Sequence, residues 1–318
     1  MRGSNHFGPR RTIFGLPRDT VGVMTGLHYI TAPNGARLAL SRQTPQRPWG
    51  RAVLVVHGAT FGTSLSGAYR IGGRSWFDEL SEAGFETWGL DFQGFGASDR
   101  YAEGDCGSEP GRAPDAAAQL GMALQFVRRE STCASLALVA HSWGTLPAGV
   151  LLAGNPGLVE RAVFYGPVVA AQSREPLAAT MPAFLEMTRD LQWGAFAAGV
   201  PKGMEPPIGS AQFERWIKAY LEGMVSVRVP AGPAIDIECA RRGALPYDPG
   251  RIETPMLVIR GSWDAVTTEA DSIRFFQALS QSQEKQLTWI HGGTHRMHLE
   301  SCRSQLYRAV EGFLKERP

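Results

Sequence analysis

Three side chains in this sequence stand at the ends of strand-like runs and could together break an acyl bond. Ser142 lies in Ala140-His141-Ser142-Trp143-Gly144, between an apolar run over 136–140 and a stretch of small residues with helical periodicity over 143–153. A serine hydroxyl is a poor nucleophile at neutral pH, so it needs a base, and the base needs a carboxylate to orient it. Asp264 follows the run that starts at Met256, in Arg260-Gly261-Ser262-Trp263-Asp264, and His295 follows the run over 286–290, in Gly292-Gly293-Thr294-His295. In the chain the three occur in the order Ser, Asp, His, each directly after a strand-like run.

Each residue also has a plainer reading. Ser142 and Asp264 are both good helix N-caps. His291 and His298 compete with His295 for the role of base; His291 lies at the strand end, too early, and His298 suits a structural or pocket-wall position. His295-x-x-His298 has the spacing of a metal pair, but no third ligand follows, and neither a metal nor a cofactor is expected. The developing oxyanion needs backbone donors. Trp143, directly after the nucleophile, supplies one N–H, and Ala59, in His57-Gly58-Ala59-Thr60 after the apolar run over 52–56, supplies the other. His57 is expected to hold that loop through a side-chain hydrogen bond.

Such residues must be positioned by a repeating scaffold, and strand-like runs do alternate with helix-like ones along the chain. A hairpin is expected over 28–31 and 37–41, split by Asn34-Gly35. Strands follow at 52–56, 86–91, 136–140, 162–165, 256–260 and 286–290, with helices at 75–83, 113–130, 143–153, 272–279 and 299–314. This alternation predicts an α/β fold, with a mostly parallel sheet covered by helices on both faces. Residues 167–249 break the rhythm, are rich in Met, Trp, Phe and Pro, and exceed the usual connection of roughly 2–6 residues. They are read as an inserted helical cap, with helices at 182–197 and 211–224. The expected domains are an N-terminal arm (1–26), a core (27–166 and 250–318) and that cap.

The residues quoted above resemble the capped α/β-hydrolases. His57-Gly58-Ala59-Thr60, then Asp91-Phe92-Gln93-Gly94-Phe95-Gly96-Ala97-Ser98, then the turn at Ser142, then Asp264 and His295 match that family in order and approximate spacing, from about His28 to Leu314. The cap matches in position only, and Ala140 stands where the family usually has Gly. The resemblance implies acyl transfer to Ser142, with His295 as general base and then acid, Asp264 orienting it, and Ala59 and Trp143 holding the oxyanion. It makes Gly94-x-Gly96 a structural turn; with Asp99 where a third Gly would stand, the dinucleotide reading fails.

The leading expectation is a serine esterase, or thioesterase, for a small to medium, largely apolar substrate. Met181, Phe184, Met187, Trp193, Phe196, Trp216, Tyr220 and Met224 are candidates to wall its pocket, and Phe61 and His298 join Trp193, Phe196, Trp216 and Tyr220 as expected lining. The alternative for the cap aromatics is that they form its own core. An aminopeptidase similar to proline iminopeptidases is a second reading, with Glu186, Glu205, Asp236 and Glu238 available to grip a substrate amine. Acyltransferase and carbon–carbon bond hydrolase chemistry would use the same triad.

Composition excludes other classes. The 318 residues carry 32 basic and 30 acidic side chains, and no segment concentrates Lys and Arg, so no nucleic-acid partner is expected. No window reaches the roughly 18 apolar residues of a membrane span. Arg10-Arg11 is followed by Pro17, Arg18 and Asp19 and not by the apolar run of an export signal. Cys106, Cys133, Cys239 and Cys302 are scattered without a C-x-x-C pair, which favours a reducing, cytoplasmic setting.

Overall fold

The computed structural model describes residues 26–102, 104, 107, 109–171 and 181–316; the expected N-terminal arm and Cys106 fall outside them, apart from Gly26. The strands are β1 (Gly26–Thr31), β2 (Arg37–Gln43), β3 (Arg51–Val56), β4 (Glu86–Leu90), β5 (Ser135–His141), β6 (Ala162–Tyr165), β7 (Phe184–Thr188), β8 (Ser226–Pro230), β9 (Met256–Gly261) and β10 (Lys285–Ile290). Eight of them form one sheet in the order β1-β2-β4-β3-β5-β6-β9-β10. The β1–β2 and β2–β4 pairs are antiparallel and the rest parallel. The outermost hairpin is the one that Asn34-Gly35 signals.

Continuous apolar runs make the central strands because both faces of a parallel sheet are buried. In β3, Ala52, Leu54 and Val56 face one layer, and Val53 and Val55 face the other. The first layer holds α2 (Ala113–Glu130), α3 (Thr145–Gly154) and α7 (Glu269–Ala278), through Leu120, Leu124, Leu146, Leu152 and Phe275. The second holds α1 (Trp76–Glu82) and α8 (Arg303–Lys315), through Trp76, Phe77, Leu306, Val310 and Phe313. Each buried aliphatic or aromatic side chain contributes about 1.5–3 kcal/mol, so the two layers together fix the sheet on which the site stands. Local signals set the helix starts: Ser75 and Thr268 cap α1 and α7 in reciprocal boxes with Asp78 and Asp271, and α2 opens with a proline in its first turn.

The insertion between β6 and β9 differs from the all-helical expectation. It carries α4 (Arg189–Ala197), α5 (Ser210–Leu221) and α6 (Gly232–Arg241), but β7 occupies the first turns of the helix expected over 182–197. The cause is long-range pairing: Phe184 to Thr188 lie antiparallel to Pro230 to Ser226, a partner no local periodicity announces. The insertion meets the core through an aromatic cluster of Phe61 and Tyr69 with Phe196, Phe213, Trp216 and Tyr220. No helix among the described residues is long and apolar enough to cross a membrane.

Candidate active site

The strand-to-helix turn after β5 is tight because its residues are small where backbones meet. Ser142 has φ 51, a left-handed conformation that costs a non-glycine residue roughly 1–2 kcal/mol. It is held there from both sides. Its carbonyl accepts the Thr145 hydroxyl at 2.6 Å, and a methyl group on Gly144 would stand 2.4 Å from the His57 carbonyl oxygen. A methyl on Gly58 would likewise come within 3.1 Å of Ser142 Cβ, so the loop after β3 lies directly against the turn. Ala140 is fully buried and fits where a still smaller residue was expected.

The geometry brings together Ser142, His295 and Asp264. Ser142 Oγ lies 2.7 Å from His295 Nε2, and His295 Nδ1 lies 3.0 Å and 3.2 Å from the two carboxylate oxygens of Asp264. These residues come from the ends of β5, β10 and β9, as their places in the sequence predict. Asp264 is not a helix cap: Thr268 caps α7, while Asp264 Oδ1 accepts the N–H groups of Val266 and Thr267 at 2.8 and 3.1 Å. Burial acts to raise the Asp264 pKa, but His295 and these N–H donors outweigh it and hold the carboxyl below the usual range. An ionised Asp264 fixes the tautomer with the proton on Nδ1, which leaves Nε2 free to accept the serine proton.

Four other histidines, His57, His141, His291 and His298, take different places. His291 is exposed. His57 Nδ1–H donates to the Gly58 carbonyl at 2.7 Å, and its Nε2 accepts the Phe92 N–H at 3.2 Å, tying the loop after β3 to the loop after β4. His141 Nε2–H donates to the His295 carbonyl at 3.0 Å, and its ring stacks on Tyr165 at 4.4 Å. Burial lowers its pKa, so it braces the His295 backbone as a neutral ring. His298 is buried with Nε2 3.4 Å from Ser66 Oγ, and burial takes its pKa down to about 3.

The two expected oxyanion donors border the turn. Among the described residues the Ala59 N–H has no hydrogen-bond acceptor, and the Trp143 N–H opens a short 3-10 turn whose first bond is made by Thr145. Gly94 and Gly96 both have positive φ, and a methyl on Gly96 would overlap Asp91 Oδ2 at 2.0 Å. Asp91 in turn accepts the N–H groups of Thr63 and Ala97 at 2.7 and 2.9 Å. That segment is a structural turn behind the loop after β3.

Of the expected pocket residues, Phe61, Phe196, Trp216 and Tyr220 are buried against one another, with Trp216 stacked on Tyr220 at 5.2 Å and Phe61 edge-on to Trp216 at 5.1 Å. Trp193 packs on Phe213 at the margin of this cluster, and His298 lies 6.3 Å from the Phe61 ring. This packing fits the alternative of a core for the insertion, and Met224 is 53% exposed. The acidic groups considered for amine binding are committed or solvated. Asp236 Oδ2 accepts the Trp143 indole N–H at 2.9 Å and the Ala113 N–H at 2.7 Å, and its Oδ1 accepts Arg112 Nε–H at 2.6 Å. Glu238 pairs with Arg242 at 3.1 Å, and Glu186 and Glu205 are exposed, Glu186 accepting the Ser226 hydroxyl.

Two features carry little sequence signal. Asp236, on α6 of the insertion, braces the residue beside Ser142, and only the buried polarity of Trp143 hinted that its indole needs a partner. Arg296, directly after His295, is 7% exposed; an arginine next to a candidate base is the one clue to its place.

The sequence over residues 53–309 matches the model of the alpha/beta hydrolase family. No functionally curated protein matches it. Similar solved structures include a bromoperoxidase from Bacillus anthracis, with TM-score 0.63, 21% identity, and 92% of this chain and 100% of that one covered. An esterase from Exiguobacterium antarcticum aligns with TM-score 0.61 and 16% identity over 91% and 99% of the two chains. A thioesterase domain from the curacin biosynthetic pathway has TM-score 0.61 and 15% identity over 91% and 99%. At these identities the likeness concerns the fold alone. The family match, the eight-stranded sheet and its two helical layers lead to one conclusion: this chain belongs to the alpha/beta hydrolase family.

Proposed function

We propose that the protein is a serine hydrolase that cleaves the carboxylic ester, or related thioester, of a small to medium, largely apolar substrate through an acyl-enzyme on Ser142. The observation that carries this reading is the continuous hydrogen-bonded chain from Ser142 Oγ through His295 to Asp264. As Ser142 Oγ attacks the carbonyl carbon, its proton passes to His295 Nε2. The imidazolium that forms is stabilised by Asp264, and the carbonyl oxygen becomes an oxyanion facing the Ala59 and Trp143 N–H groups. Collapse expels the alcohol or thiol, which takes the proton from His295. Water then repeats the sequence on the acyl-enzyme, with His295 again as base and Ser142 as leaving group. Losing one oxyanion donor costs such enzymes on the order of a hundred- to thousandfold in kcat.

In this reading the insertion acts as a cap, with its Phe196 and Tyr220 meeting Phe61 of the core in one aromatic cluster. The aminopeptidase reading loses support, because Asp236 and Glu238 are committed to Trp143, Ala113 and arginine partners. Rapid-quench kinetics with 4-nitrophenyl butyrate test the proposal. The expected result is a burst of about one nitrophenolate per protein chain, with the butyryl group recovered on the peptide containing Ser142. Turnover with the acyl group on another residue, or on none, would overturn it.

A further inference from the structure

Next to His295, in the cluster where the insertion meets the core, lies a cation that its surroundings do not neutralise. Arg296 is 7% exposed, and its guanidinium lies 4.6 Å from the Phe196 ring centroid and 5.6 Å from that of Phe61. Of its five N–H donors, Nη1 donates to the Gln192 carbonyl at 3.1 Å; among the described residues this is the guanidinium's one hydrogen bond, and no carboxylate lies within 4 Å. Glu300, whose charge reaches Arg296, is spent on the N–H and hydroxyl of Thr294. Burial lowers the Arg296 pKa to about 10, which leaves it cationic at neutral pH.

A second observation points to the same spot. Gln192 on α4 is fully buried, yet among the described residues neither its amide nitrogen nor its amide oxygen makes a well-formed hydrogen bond, the Tyr220 hydroxyl being only within weak reach. A buried amide without partners is costly and a buried, largely unpaired cation more so, and the two together mark a place built for a polar occupant. Tyr220 adjoins it and donates its hydroxyl to the Thr60 carbonyl at 3.2 Å, next to the Ala59 N–H.

We propose that Arg296, with Gln192, forms a subsite for a carboxylate carried by the substrate, so that the preferred substrates are esters of short dicarboxylic acids whose free acid end pairs with Arg296. A guanidinium fork matches a carboxylate bidentately, and Gln192 Nε2 supplies a further donor. The apolar rings of Phe61 and Phe196 would flank the chain between the two carboxyl groups. Arg296 is here a specificity residue and takes no part in bond breaking. The inference rests on the serine hydrolase reading, and its test separates the two.

The probes are monoethyl esters of the C3 to C6 dicarboxylic acids, each compared with its neutral half-amide, for the wild-type protein, Arg296→Gln and Arg296→Lys. The wild type is expected to favour at least one acid over its half-amide by tenfold or more in kcat/KM. In Arg296→Gln that preference should vanish, mainly through KM, while a fluorophosphonate still labels Ser142; Arg296→Lys should keep part of it. Equal turnover of acids and half-amides by the wild type, or an equal loss of both in Arg296→Gln, would overturn the subsite and leave Arg296 as a latch for the insertion. Thermal stabilisation reads the anion site without turnover: stabilisation by the free dicarboxylates and not by the diamides supports it, and none overturns it. Absence of fluorophosphonate labelling would instead count against the hydrolase reading.

Discussion

Replacing Asp236 should damage both the fold and the site, and the structure says by how much. Its carboxylate accepts three donors, two of them from fully buried residues, Trp143 and Ala113. Asp236→Ala would orphan those two donors, at about 1–3 kcal/mol each. Arg112, 30% exposed and also paired with Glu109, would turn to solvent at little cost. Burial raises the Asp236 pKa, so removing the carboxylate also relieves some desolvation. The net loss should be about 2–4 kcal/mol by urea unfolding. Asp236→Asn separates the causes. Its amide oxygen can occupy the Oδ2 position and keep both buried donors, with the amide nitrogen turned against Arg112, so it should cost only about 1–2 kcal/mol. Because the braced indole belongs to the residue assigned an oxyanion N–H, Asp236→Ala should lower kcat about ten- to a hundredfold, and Asp236→Asn much less. Equal effects of the two variants, or an alanine variant within about 0.5 kcal/mol of wild type, would refute the brace.

Other expectations follow from single residues. At φ 51, Ser142→Gly should be more stable than Ser142→Ala by about 1–2 kcal/mol in denaturant titrations, although both lack the hydroxyl and both should lose at least about 10⁴-fold in kcat. Gly144→Ala would press a methyl 2.4 Å from the His57 carbonyl; it should destabilise by about 1–3 kcal/mol and depress kcat by separating Ser142 from the Ala59 loop, while the same change at Gly154, whose methyl would meet nothing within 4 Å, should leave kcat unaltered. Burial raises the Glu300 pKa from 4.5 to about 7, so the stability its protonated form contributes is fully present below 4.5 and is lost as pH rises through about 7. Chemical unfolding of Glu300→Gln should therefore gain about 3 kcal/mol on wild type between about pH 4.5 and pH 8; a constant difference would show that Glu300 does not titrate there.

Much of this arrangement was legible in the sequence because the signals were local. The continuous apolar run of β3 and the small residues around Ser142 can be read within a few positions of chain, and strand ends at Gly261 and Ile290 locate Asp264 and His295 without any knowledge of the insertion. The insertion was harder to read. Phe184 to Thr188 pair with residues some forty positions away, and that pairing, not local periodicity, decides that they are a strand. Asp236 could be listed only as one of several acidic groups; its role depends on α6 packing beside the turn at Ser142. Arg296 was marked only by its place beside a candidate base, and Gln192 not at all, since α4 and the loop after β10 meet only in the folded chain.

Ser142 is proposed as a nucleophile that His295 activates. Treatment with a fluorophosphonate, followed by mass spectrometry, should give one adduct, on Ser142, formed at a rate that collapses in His295→Ala. An adduct on a different side chain, or labelling of Ser142 that is indifferent to His295, would contradict it.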